Sequence, residues 1–327
     1  MDHVGILKNA FHTTIRYRAL WVLGLLWALA GGGSASFRFP SSSSGYRFNG
    51  GNMGRTPFGW RFGDLGPHLG LIVSLIVLAC GFFLVLAVVA AVVRYTLQAG
   101  IYRSLYALSN EGAAPTVRKG FREGWNRRTW RLLLQDLLVG IPMALVVFLA
   151  LALALSPLLL LLAHSGAAKA IGIVTSVGLL LVWVVLLIVT VAIVGVLRQL
   201  WWRAAAVGEE DTVGAIRTGW RLARRNLGDV AVMWALMLGA DLLCALVLIP
   251  VVLVLVIVTG LFAGGPGVLI FRATQSLIPA FLWAIPVGLV FFVLPLVFLV
   301  GLYLVFQASV WNQVYEQLVA RPLPANA

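Results

Sequence analysis

The stretch LIVSLIVLACGFFLVLAVVAAVV, residues 71–93, carries no charge and exceeds the roughly 18 apolar residues that mark a membrane-crossing helix. In lipid such a run must satisfy its own backbone hydrogen bonds, and a helix does so within a single segment. The same reading repeats along the chain, at Leu132 to Leu162, Ala170 to Val196, Val230 to Gly260 and the long apolar stretch Gly267 to Phe306. Of the 327 residues, 61% are hydrophobic and only 11% charged, too little polar surface to cover a water-soluble core. The bilayer is therefore the solvent, and the fold class is an all-α integral membrane helical bundle forming one domain over residues 1–327.

Counting Ala19 to Ala30 as the first crossing and Leu69 to Val93 as the second, the sequence predicts about six transmembrane helices. The third is long enough to be tilted or broken near Pro142 or Pro157. A short turn around His164 to Lys169 leads into the fourth. The last apolar stretch is too long for one crossing and holds Pro279, Pro286 and Pro295. It reads as a re-entrant or interfacial piece ahead of a sixth helix at about Ile285 to Phe306. Residues 31–67, rich in Gly, Ser, Asn and Arg, read as a long flexible outer loop. The start of the chain also fits a signal-peptide pattern, with Lys8, Arg16 and Arg18 ahead of the apolar stretch and Gly33, Ser34, Ala35 and Ser36 after it. The repeat described below needs that helix to stay in place.

A net charge of +13 would suggest nucleic acid in a soluble protein. Here the basic residues flank apolar runs. Of the 24 Lys and Arg, only Arg38, Arg47, Arg55, Arg61, Lys169 and Arg272 fall in the expected outer loops, and the other 18 lie on the opposite side. That asymmetry places both termini and the basic segments in the cytoplasm of a multi-pass cell-membrane protein. Membrane lipids, anionic ones included, are the expected partners, with a protein at the cytoplasmic face as a further candidate and nucleic acid excluded. Cys80 and Cys244 sit inside apolar helices as small hydrophobes. His3, His12, His68 and His164 show no ligand spacing, so no metal is expected. No Gly-rich phosphate loop, nucleophile elbow or HExxH motif appears, which argues against an enzyme and gives no reason to expect a cofactor.

An internal repeat organises the chain. Thr116-Val-Arg-Lys-Gly-Phe-Arg-Glu-Gly-Trp125 matches Thr212-Val-Gly-Ala-Ile-Arg-Thr-Gly-Trp220, and each is followed by paired arginines, Arg127 and Arg128 or Arg224 and Arg225. Phe11-His-Thr-Thr-Ile-Arg-Tyr-Arg18 is a weaker third copy. Leu155-Ser-Pro157 and Leu248-Ile-Pro250 occupy similar places. Leu97-Gln-Ala-Gly-Ile-Tyr-Arg-Ser-Leu-Tyr106 also resembles Phe306-Gln-Ala-Ser-Val-Trp-Asn-Gln-Val-Tyr315. These matches divide the chain into three parallel repeats, 1–93, 94–196 and 197–327, each an interfacial amphipathic helix followed by a transmembrane hairpin. On a helical wheel, Ile216, Trp220, Ala223 and Leu227 share a face beside Arg217, Arg221, Arg224 and Arg225. Val4, Leu7, Phe11 and Ile15 do likewise beside Lys8, His12 and Arg16. Such helices lie in the headgroup layer. The lipid- or partner-contacting candidates are thus Arg118, Lys119, Arg122, Trp125, Arg127, Arg128, Arg217, Trp220, Arg221, Arg224 and Arg225.

Within the membrane, Asp241 lies about eleven residues into a span, where a carboxylate is costly and usually faces a bundle interior. It either relays protons, binds a cation or pairs with an arginine, or packs protonated against a carbonyl or hydroxyl. Asp136 reads as interfacial and paired with a local arginine. Arg272 snorkels outward or serves as a partner.

The helix Ile6-Leu-Lys-Asn-Ala-Phe11 running into Leu20-Trp-Val-Leu-Gly24, the repeated Gly-Trp basic segments and the closing Gln307-Ala-Ser-Val-Trp-Asn-Gln-Val-Tyr315 resemble uncharacterised bacterial and archaeal membrane proteins. These are related to the membrane domain sometimes fused to glycerophosphoryl diester phosphodiesterases. The resemblance implies a six-helix bundle and no established activity, because the catalytic barrel of the fused proteins is absent here. Two functions follow from the residues: a non-enzymatic scaffold or regulatory protein that binds lipid or a partner, or a transporter or permease-like subunit with Asp241 in its substrate or proton path.

Overall fold

A computed structural model describes residues 1–31, 69–162, 165–208 and 210–321, and no strand occurs among them. The expected outer loop lies outside the described residues except for Gly31, as do His68 and His164. The helices are α1 (His3–Arg16), α2 (Arg18–Leu29), α3 (Leu69–Glu111), α4 (Val117–Gly124), α5 (Arg127–Leu155), α6 (Gly166–Ala206), α7 (Thr212–Arg225), α8 (Leu227–Thr259), α9 (Gly265–Thr274), α10 (Leu277–Gly288) and α11 (Leu294–Val319). Wide π-helical turns at Gly260–Gly264 and Leu289–Val293 join α8 to α9 and α10 to α11 without a break.

Five helices among the described residues are long and apolar enough to cross a membrane: Val73–Glu111, Thr129–Leu161, Gly166–Ala206, Leu227–Thr274 and Leu277–Val319. The expected first span corresponds to α2. At 12 residues it is roughly 18 Å long, short of the roughly 30 Å hydrocarbon core. The last apolar stretch also differs from expectation. Gly267 to Thr274 continue the preceding helix, and the chain reverses at Gln275, whose φ of 48° supplies the left-handed turn. The missing proline N–H is compensated across this hairpin. Pro266 has no N–H to offer the Phe262 carbonyl, and the Trp283 indole donates to it at 3.2 Å while Phe262 stacks on Phe291 at 5.0 Å.

Other boundaries shift for similar reasons. Pro142 is carried inside α5, and the break comes at Pro157, in the 3₁₀ turn Ser156–Leu162. Pro250, matched to Pro157 in the sequence, instead lies within α8. Lys169 belongs to the first turn of α6, capped by the Ser165 hydroxyl, which accepts from the Ala168 N–H at 3.2 Å.

The apolar middles of the spans are exposed, and the buried core lies at one end of the bundle. There the last turns of α3, α6 and α11 meet α1, α2, α4, α7 and the starts of α5 and α8. Leu97, Tyr102, Leu200, Trp202, Met233, Val310 and Trp311 form its centre. Each short amphipathic helix docks on the end of a long one: α4 on α3, α7 on α6 and α1 on α11.

The docking faces are stripes made mostly of small residues, with Ile6 of α1 the large exception. The buried positions are Gly120 and Gly124 in α4, Ala215, Gly219 and Ala223 in α7, and Ile6, Ala10 and Thr14 in α1. A β-carbon on Gly124 would lie 2.1 Å from the Thr96 carbonyl oxygen, and one on Gly219 would lie 2.2 Å from the Trp201 ring. Gly24 and Gly301 cross equally closely between α2 and α11. The wheel reading does not single out this docking face. Trp220, Leu227, Val4, Phe11 and Ile15 are exposed, and the face that docks is the small-residue one beside them.

The clearance at Gly124 sets a measurable expectation. Gly124→Val should lower stability by about 1–3 kcal/mol through overpacking against α3. Gly140→Ala, where an added methyl meets nothing within 4 Å, should be neutral or stabilising. Thermal unfolding of the two variants in detergent checks the contrast.

Candidate functional site

Two linked polar clusters occupy the core where α3, α5, α6 and α11 converge. The first centres on Asp136 of α5. Its carboxylate accepts from Arg198 Nε at 2.9 Å and from Trp202 Nε1 at 2.9 Å, and also from Arg198 Nη2 and the Tyr95 hydroxyl. The Arg198 guanidinium lies 4.5 Å from the Trp202 ring centroid. Asp136 is thus ion-paired, as expected, but with an arginine from α6 and not with a local one.

The second cluster centres on Arg203, which is fully buried at 0% exposure. Its Nη2 donates to the Ala308 carbonyl at 3.1 Å, its Nη1 donates to both oxygens of Gln199, and its guanidinium sits 4.6 Å over the Tyr102 ring. Gln98 donates to the Tyr102 hydroxyl at 3.0 Å. Arg103 continues the pattern, donating to the Ala206 carbonyl at 3.1 Å and the Glu123 carbonyl at 2.9 Å. Arg103 of α3 thus holds carbonyls at the ends of α6 and α4, where backbone acceptors run out of helical partners and the helix dipole is negative, while Arg203 of α6 reaches a carbonyl within α11.

Around this core the basic interfacial residues form an outer layer. Arg118, Arg122, Arg217, Arg221, Arg224 and Arg225 are exposed, and Lys119 pairs with Glu123 at 3.7 Å. The side chains of Arg127 and Arg128 lie outside what the structure describes. Three aromatics, each following a buried small residue, face outward: Phe11 after Ala10, Trp125 after Gly124 and Trp220 after Gly219, at 61%, 64% and 51% exposure. Beside Trp125 a cavity of about 310 Å³ lies between Tyr95, Thr96, Asn126, Thr129, Trp130 and Leu133. Arg131 ties the second and third basic segments together, donating to the Glu210 carbonyl at 2.8 Å and lying 3.4 Å from Asp211. At the same end His3 of α1 and Arg321 beyond α11 both reach Asp229, so the two ends of the described chain share one face.

Asp241 and Arg272 stand apart from these clusters. Asp241 of α8 accepts a hydrogen bond from the Tyr303 hydroxyl of α11. Arg272 is exposed near the opposite end of the same continuous helix, 31 residues on or roughly 45 Å away, and does not partner Asp241.

The chain belongs to a family of unknown function (DUF7544), whose sequence profile matches residues 8–320. That match covers α2 to α11 whole and takes in both polar clusters. No curated protein and no solved structure matches the chain.

Sequence reasoning found Asp136 but missed Arg198, Arg203, Tyr95 and Tyr102. One signal was present. Gln199 stands before the buried end of α6 as Gln98 and Gln307 stand in α3 and α11, so a glutamine marks the same turn in all three long helices.

Removing the Asp136 charge should expose its role. Asp136→Asn leaves Arg198 half-buried without its counter-ion and should cost roughly 1–3 kcal/mol, discounted for the solvent that reaches Arg198. Arg198→Gln in the same background should recover part of that loss. A double-mutant cycle on thermal stability reads the coupling.

Proposed function

We propose that the chain is a non-enzymatic, multi-pass protein of the cell membrane that binds anionic lipid through its ring of interfacial helices. The observation that carries this reading is the three-sided character of α1, α4 and α7. Each presents a mostly small-residue face to a long helix and an exposed aromatic away from it, and each carries Lys or Arg. A helix held in that way offers its aromatic to the headgroup boundary and its guanidiniums to lipid phosphate. Each such basic residue is worth on the order of 1 kcal/mol beside an anionic surface. The four exposed arginines of α7 are the densest group.

The basic end of the bundle then faces the cytoplasm together with both termini, in keeping with the positive-inside asymmetry. On this reading the three segments beginning at α1, α4 and α7 are parallel repeats, with α2 opening the first, and the kinship with the phosphodiesterase-fused membrane domain is part of the same proposal. The aromatic-lined cavity beside Trp125 and Trp130 is where a bound lipid's glycerol region would sit. The transporter reading has less to support it, because Asp241 is engaged by Tyr303 and no basic side chain pairs with it among the described residues.

Lipid retention tests the proposal. Native mass spectrometry of protein released gently from its membrane should find stoichiometric anionic lipid. Replacing Arg217, Arg221, Arg224 and Arg225 together by Gln should reduce that retention at least tenfold, while Asp241→Asn leaves it unchanged. Retention of a protein partner in place of lipid would point to the cytoplasmic face as a docking surface and overturn the lipid assignment.

A further inference from the structure

Between the ends of α2, α3, α6 and α11 lies a small internal cavity lined by Trp27, Arg94, Tyr102, Gln199, Trp202 and Gln307. It leaves about 10 Å³ free, room for a single water-sized guest. Two of its lining groups are donors without acceptors. Trp27 is 6% exposed, and its indole N–H has no partner; the Nε of Arg94 is buried and likewise has none. Both can only donate, so whatever fills the cavity has to accept.

Charge decides between water and an anion as that guest. Arg94, Arg198 and Arg203 lie together at this end of the bundle, and the carboxylate bonded in the cluster, Asp136, is committed to Arg198. Arg203 is fully buried, and its partners are carbonyl oxygens and an aromatic ring. Among the described residues no carboxylate pairs with Arg94 or Arg203. Among the acceptors that line the cavity, the Oε1 of Gln199 is already taken by Arg203 and the Tyr102 hydroxyl by Gln98. A guanidinium taken out of water without a counter-charge is strongly penalised, and a bound anion relieves that penalty where a neutral water does not.

We infer that this cavity is a binding site for one monoatomic anion of halide size, held by Trp27 Nε1–H and Arg94 Nε–H in the field of Arg203. A phosphate or a lipid headgroup is too large for the space. The site is therefore distinct from the interfacial lipid surface proposed above and does not depend on it.

The test uses the full chain purified in detergent with chloride replaced by gluconate, at constant ionic strength. Titrating chloride back should raise the thermal midpoint saturably, with bromide similar and iodide weaker because of its size. Trp27→Phe keeps the aromatic ring against Tyr102 and removes only the donor; it should weaken the halide response on the order of tenfold. Arg94→Gln should weaken it further, and if that variant fails to fold, Trp27→Phe reads the site alone. Equal midpoints in chloride and gluconate would overturn the assignment. So would a halide response that survives in both variants, or one that sulfate or anionic lipid reproduces with the same sensitivity to Trp27→Phe.

Discussion

Apolar side chains gain nothing from one another inside a bilayer, because lipid tails are as apolar as leucine. The rest of this structure depends on that constraint. The apolar stretches of α3, α5, α6, α8 and α10 are mostly Val, Leu, Ile, Ala and Phe, and most of their side chains remain exposed. Cohesion is concentrated where other forces act, at the basic end. There helices approach closely across Gly124, Gly219 and Gly24, Arg103 holds helix-terminal carbonyls, Arg203 ties α6 to α11, and groups such as Tyr102, Trp202 and Trp311 are withdrawn from water. The long helices resemble stakes bound at one end.

That arrangement links fold to function. The turns that hold the bundle together also carry its charge. Arg103 and Arg203 are used internally, closing backbone acceptors, whereas Arg118, Arg122 and the arginines of α7 are left outside. The small-residue faces of α1, α4 and α7 let each helix sit close to its neighbour while its aromatic points away. A surface presented in this way on three successive segments is suited to lipid headgroups, and the polar core beneath it fixes the angle at which the segments stand.

The membrane class and the places of the long helices were legible in the sequence because uncharged apolar runs of this length have one stable solution in lipid. Their ends were not. Leu97 to Tyr106 and Gln199 to Ala206 contain Gln, Arg and Tyr, so hydropathy stops before them, yet both continue their helices into the core. The hairpin turn at Gln275 was missed because Pro279, Pro286 and Pro295 read as breaks. In the structure π turns and the Trp283 indole accommodate prolines without interrupting the helix. Docking faces were not legible because a wheel ranks residues by hydrophobicity, and here closeness of approach at Gly and Ala decides what is buried. The pairing of Asp136 with Arg198 lies 62 positions apart, beyond any local pattern.

Site-directed spin labelling along α6, read by relaxation from oxygen and from a water-soluble nickel complex, tests the one-ended core most directly. Labels between Ile173 and Ile193 should show high oxygen accessibility on most faces, with protection confined to the narrow stripe through Ser176, Trp183 and Leu187 on the side where Trp183 meets α5. Labels from Leu197 to Ala206 should be shielded from both reagents on most faces. Protection on most faces between Ile173 and Ile193, as complete as that from Leu197 to Ala206, would contradict the account, since it would place a closed core in the middle of the membrane and move the bundle's cohesion away from its basic end.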